Sequence, residues 1–125
     1  MDAEREQIFR KIISQIISAS QILLIIHRKP DGDALGSITA LKVVLDHMQK
    51  PNQMACIDEI PPNFSFLPEA SKIVSDFNPE QFDLIITLDC GADYMTGYRD
   101  KYPQIFSGQH QLINIDHHPS NNQFG

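Results

Sequence analysis

The sequence predicts an α/β fold: a three-layer, mostly parallel open sheet flanked by helices. Two observations carry that reading. Three short runs of β-branched and aliphatic residues (ILLII at 22–26, DLIITL at 83–88 and LINI at 112–115) alternate with stretches of helical periodicity. Each run also ends in acid or histidine: His27-Arg28-Lys29-Pro30-Asp31-Gly32-Asp33, Asp89-Cys90-Gly91 and Asp116-His117-His118. In a parallel sheet joined by crossovers, the carboxyl ends of the strands share one edge. Residues far apart along the chain would therefore meet there.

Taken in order, residues 3–19 pair apolar positions as Ile8/Phe9, Ile12/Ile13 and Ile16/Ile17, with Glu6 and Arg10 four apart. This is the pattern of an amphipathic helix, expected to cover one face of the sheet. A strand follows over 21–27. Leu35, Ile38, Leu41, Leu45 and Met48 recur at steps of three and four, giving a helix over 34–48 that Pro51-Asn52 ends. Residues 53–57 read as a second strand and Pro61-Pro62-Asn63 as a loop. Residues 67–77 read as a short helix entered through Pro68. Residues 83–89 form a buried strand, 92–102 a helical or irregular stretch, and 112–116 a last strand. No repeat, low-complexity tract or Gly/Ser linker interrupts the chain. At 125 residues and 42% hydrophobic, it suits one domain with a real core.

Composition narrows the function. A net charge of −6 argues against nucleic-acid binding through a broad basic surface. A phosphate-bearing substrate would have to be held locally, most simply by bound cations. Cys56 and Cys90 are too few and too far apart for a disulfide scaffold or a zinc knuckle, and read as small buried hydrophobes in a reducing compartment. The charged start (Asp2, Glu4, Arg5, Glu6) lacks the pattern of a signal peptide. The longest apolar stretch falls far short of the ~20 residues of a membrane span. These features lead to the expectation of a soluble, cytoplasmic protein with no membrane partner.

The strand ends carry oxygen and imidazole ligands suited to hard divalent cations such as Mn²⁺ and Mg²⁺. His27, Asp31 and Asp33 lie on one loop, where Gly32 and Gly36 are expected to allow a tight turn and a close approach of ligand. Asp89, from a second strand, is placed to bridge two ions, and His117 to complete the second ion's shell from a third. Each residue also has an ordinary reading alone. Asp33, just before the helix, would serve as its cap or as a turn former, and His27 as a hydrogen-bonded, partly buried histidine. Their joint occurrence on three strand ends favours the metal centre. A calcium loop from Asp31 fails because its fifth and twelfth positions are Leu35 and Lys42. No P-loop motif is present, and Ser37 has no Gly-x-Ser-x-Gly frame. His47 and His110 read as solvated.

These segments resemble a known family. His27-Arg28-Lys29-Pro30-Asp31-Gly32-Asp33-Ala34-Leu35-Gly36-Ser37, Leu88-Asp89-Cys90-Gly91 and Asp116-His117-His118-Pro119 closely resemble the first three motifs of the DHH phosphoesterases, in order and spacing. The form of the first motif is similar to that of the oligoribonuclease/phosphoadenosine-phosphate phosphatase branch and of cyclic-dinucleotide phosphodiesterases. The resemblance implies a Rossmann-like DHH catalytic domain over 1–125 with two divalent metal ions, Mn²⁺ foremost and Mg²⁺ or Co²⁺ as alternatives. It places His27, Asp31 and Asp89 on one ion, and Asp33, Asp89 and His117 on the other. His118 would face the scissile phosphate or the leaving oxygen, and Asp116 would orient the histidine pair. The implied reaction is attack on phosphorus by a water activated between two metals. Substrates would be short RNA, linear dinucleotides or 3'-phosphoadenosine 5'-phosphate, with a homodimer in the full-length protein.

The family pattern adds a fourth-motif aspartate and a C-terminal substrate-binding domain, neither of which this sequence contains. The expectation is a truncated catalytic domain that binds metal weakly and turns over poorly. Two alternatives accompany that reading: an inactive nucleotide- or metal-binding remnant, and a pyrophosphate or polyphosphate hydrolase. The Gly32/Ala34 signature weighs against the second.

Overall fold

Strands with no polar face settle only where both faces are covered, and the burial of this chain follows that rule. The computed structural model describes residues 2–125. In chain order it contains a helix at Ala3–Ser18 (α1), a strand at Ile22–Ile26 (β1), a helix at Gly32–His47 (α2) and strands at Asn52–Ala55 (β2), Leu84–Leu88 (β3) and Gln111–Ile115 (β4). Every pairing is parallel, in the order β2-β1-β3-β4. All five residues of β1, at the centre, are wholly buried, and those of β3 are buried too. The fold is the α/β parallel sheet read from the sequence.

Alternate side chains feed two cores. Ile22, Leu24, Ile26, Leu84, Ile86 and Leu88 point to one face, where Leu35, Ile38 and Leu45 of α2 pack on them. Leu23, Ile25 and Ile85 point to the other, beneath Phe77, Phe82, Tyr98 and Ile105. The β1–β2 link runs towards one edge of the sheet and the β3–β4 link towards the opposite edge. Right-handed crossovers would place these two links on opposite faces, as observed. Short 3₁₀ turns and extended chain, rather than α-helices, build this second outer layer.

Register is what positions the site. Ile26 pairs with Leu88, and Leu88 with Ile115. The next residues, His27, Asp89 and Asp116, therefore leave the sheet side by side at one rim. A slip of one residue would turn each of them to the other face.

Three local expectations need correction. The segment read as a helix over 67–77 contains a single 3₁₀ turn, Ala70–Lys72. Its apolar residues serve two different layers: Leu67 and Ile73 pack on the α2 side, whereas Val74 and Phe77 pack on the other. The segment wraps the sheet edge, bridging Ala55 through Val74, so a helix with one apolar face would not suit it. The second correction concerns α1, which forms but covers little. Ile16 and Ala19 are buried and Ile12 is partly so, while Ile8, Phe9, Ile13 and Ile17 are exposed. Third, neither Gly32 nor Gly36 marks a tight turn, since both lie inside α2 without positive φ. Among the described residues, no helix is long and apolar enough to cross a membrane.

Candidate metal centre

The first motif sits where β1 gives way to α2, and its backbone explains its shape. Pro30 disfavours a right-handed helical conformation at the residue before it, and Lys29 takes the left-handed conformation at φ 51. The chain re-enters helix at Gly32, so Asp31, not Asp33, is the N-cap: its Oδ1 accepts the Ala34 N–H at 2.9 Å. Asp33 falls in the first turn instead. Its carboxylate is favoured there by the helix dipole and remains free to reach outward.

His27 Nδ1 lies 2.7 Å from the Arg28 carbonyl, which can only accept, so this nitrogen carries the proton. The lone pair is then on Nε2, which lies 3.5 Å from Asp89 Oδ2 and 3.7 Å from Asp31 Oδ1. His27, Asp31 and Asp89 thus bring three ligand atoms within 4.8 Å of one another. The opposite side of Asp89 faces the third motif. Its Oδ1 lies 3.0 Å from His117 Nε2, and Asp33 Oδ2 lies 3.3 Å from the same nitrogen. Asp33 therefore reaches the rim through His117.

Asp89 is the pivot. Its side chain is only 4% exposed, and its amide donates to the Ile115 carbonyl at 2.9 Å. Its φ of 57 places a non-glycine residue in the left-handed region. That turn aims one carboxylate oxygen at the His27 group and the other at the His117 group. Such strain persists only where the surroundings over-determine it, and it concentrates at functional sites.

The third motif is braced from below. Asp116 is 1% exposed at its side chain and fully engaged. Its Oδ1 accepts from His118 Nδ1 at 2.5 Å, and its Oδ2 from Asn121 Nδ2 at 2.8 Å and the His118 amide at 3.2 Å. Burial alone would raise its pKa, but the hydrogen bonds from Asn121 and His118 outweigh it and hold the carboxyl below its ordinary value. The bond to Asp116 in turn raises His118 above the usual imidazole value. His118 Nε2 is left facing the centre, 3.9 Å from Asp89 Oδ1.

Comparison with known proteins supplies the family. The model of the DHH family, N-terminal domain, matches residues 21–125. The chain belongs to the DHH family. A probable bifunctional oligoribonuclease and PAP phosphatase, NrnA, of Streptococcus mutans is 32% identical over 120 residues. That alignment takes in 94% of this chain and 36% of the relative. The crystal structure of an exopolyphosphatase-related protein from Bacteroides fragilis superposes with a TM-score of 0.83 at 22% identity. It covers 95% of this chain and 37% of that one, and shows the shared fold. This chain thus spans little more than a third of either protein.

Two groups of close ligand atoms meet at this rim, His27 with Asp31 and Asp89, and Asp89 with Asp116, His117 and His118, while Asp33 belongs to neither and approaches only His117. Cys90, next to Asp89, turns its thiol inward to the Ala92 carbonyl at 3.1 Å. Burial pushes the thiol up to about 11, and Cys90 belongs to neither group of close ligand atoms among the described residues. Of the other histidines, His47 is exposed. His110 is half-buried between the Pro79 and Gln104 carbonyls rather than solvated. Sequence reasoning missed Asn121, which donates to Asp116, and Asp58, whose Oδ2 accepts the Lys29 N–H at 2.8 Å beside the first motif. The first is a neutral side chain in a polar tail and gave no signal. The second follows β2 as the other acids follow their strands, and that position could have revealed it.

Proposed function

We propose that this chain is the metal-binding catalytic domain of a phosphoesterase. It hydrolyses phosphate esters of short oligoribonucleotides, linear dinucleotides or 3'-phosphoadenosine 5'-phosphate. The observation that carries the reading is Asp89, with one buried carboxylate oxygen aimed at each of two ligand groups. The donor set fits hard divalent ions: carboxylates and imidazoles, with neither cysteine in either group of close ligand atoms among the described residues. One ion on His27, Asp31 and Asp89 and a second on Asp33, Asp89 and His117, Mn²⁺ for preference, would supply Lewis acidity that activates water and neutralises phosphate charge.

The remaining roles belong to the chain's own atoms. The Arg28 carbonyl fixes the His27 tautomer, so that Nε2 needs no proton loss to act as a ligand. Asp116 holds the His118 ring and keeps a proton on it to higher pH than an ordinary histidine. His118 is thereby set to contact a phosphoryl oxygen or to give a proton to the leaving oxygen. The relative's printed name, which joins an oligoribonuclease to a PAP phosphatase, supports this substrate class over pyrophosphate.

A substrate panel tests the proposal. With Mn²⁺, 3'-phosphoadenosine 5'-phosphate and short RNA oligomers should be hydrolysed, at the low rate expected of the catalytic domain alone, and Asp89→Ala should lower that rate on the order of 10³-fold or more. Turnover of pyrophosphate alone would overturn the substrate class. Equal rates for wild type and Asp89→Ala, or indifference to metal, would overturn the mechanism.

A further inference from the structure

The segment from His27 to Asp31 supplies two of the candidate ligands yet has few means of holding its own shape. Pro30 has no N–H, and Lys29 sits in the left-handed region at φ 51. The two amides before Pro30 are each captured from outside. The Arg28 N–H donates to the Met95 carbonyl at 2.8 Å, from the segment after β3. The Lys29 N–H donates to Asp58 Oδ2 at 2.8 Å, from the segment after β2. The same Asp58 oxygen lies 3.8 Å from Arg28 Nε. Two residues earlier, the Cys56 thiol lies 3.5 Å from the His27 carbonyl. The turn is thus pinned on both flanks, and on the β2 flank a carboxylate holds it.

We propose that Asp58 is a positioning residue for the centre. By capturing the Lys29 amide it fixes the left-handed turn that aims His27 and Asp31 at Asp89. The inference deepens the metal reading above and rests on it for its effect on affinity. Asp58 touches no candidate ligand atom. It acts through the backbone, as partners behind metal ligands commonly do. Its charge serves a second purpose by holding the Arg28 guanidinium at the rim.

The test compares Asp58→Ala with Asp58→Asn, which keeps an oxygen to accept the Lys29 N–H. Manganese affinity is read by electron paramagnetic resonance of the free ion. Asp58→Ala should bind about 10- to 100-fold more weakly, with Asp58→Asn close to wild type. Adding Lys29→Gly to Asp58→Ala should recover part of the loss, because glycine adopts the turn without help. In metal-free protein, the Lys29 amide and His27 ring resonances should move in Asp58→Ala and stay in Asp58→Asn. Unmoved resonances, or wild-type affinity in Asp58→Ala while Asp89→Ala binds no manganese, would overturn the role of Asp58. Wild type that binds no manganese would sink the metal reading, and the resonances would still decide the positioning role.

Discussion

The backbone at Asp89 permits a test that separates strain from chemistry. Asp89→Ala and Asp89→Gly both remove the carboxylate, and with it the 3.0 Å partner of His117 Nε2. They differ in how they tolerate a φ of 57 and in the freedom of the unfolded chain. A left-handed L-residue costs roughly 1–2 kcal/mol, which glycine escapes. Glycine gives back about 0.4–1 kcal/mol through the freedom it adds to the unfolded chain. The difference leaves Asp89→Gly more stable than Asp89→Ala by about 1 kcal/mol. For a domain of this size that is roughly 3–5 °C in Tm, measured by thermal unfolding in EDTA. Adding Mn²⁺ should raise the Tm of wild type and leave both variants unmoved, since only wild type retains the shared ligand. An alanine variant at least as stable as the glycine variant would refute the strain argument. A manganese-dependent rise in either variant would refute the pivotal role of the carboxylate.

Other consequences follow from particular contacts. Ile13→Glu and Ile17→Glu fall on the exposed side of α1 and should change stability by no more than about 0.5 kcal/mol in urea titrations. Gly36 has open space about it inside α2, so Gly36→Ala should stabilise by up to about 1 kcal/mol. Gly97→Ala should destabilise by at least about 1 kcal/mol, because φ is +79 and the new Cβ would lie 2.9 Å from Ile57 Cγ2. Asp76 accepts from Tyr102 Oη and Lys101 Nζ, which hold its carboxyl at about 2, well below the usual carboxylate range. A depressed carboxyl stabilises the fold above its unfolded pKa and loses that contribution as pH falls towards the folded value. Melting curves between about pH 4 and pH 2 should therefore fall less steeply for Asp76→Asn than for wild type. Parallel curves would contradict the assignment.

The sheet and its rim were legible because β1 and β3 are buried on both faces and therefore read as unbroken aliphatic runs. The polar residues that end them stand out against that background. What failed to read was decided by contacts across the fold. Residues 67–77 read as a helix entered through Pro68, yet Ile73 and Val74 serve opposite faces of the sheet. Pairs of isoleucines along α1 resembled a wide buried face, whereas Ile12, Ile16 and Ala19 alone reach the core. Asp33 looked like the helix cap by adjacency. The left-handed turn at Lys29 moves the cap to Asp31 and leaves Asp33 to face His117. Asp58 and Asn121 are partners of partners, and pattern reading does not see what holds a ligand in place.

Crystals soaked in manganese and measured at the manganese absorption edge give the most direct view of the centre. Two anomalous peaks are expected about 3.5–4 Å apart. One should lie among His27, Asp31 and Asp89, and the other among Asp33, Asp89 and His117. An empty rim in well-soaked crystals, or ions bound only to groups remote from Asp89, would contradict the account.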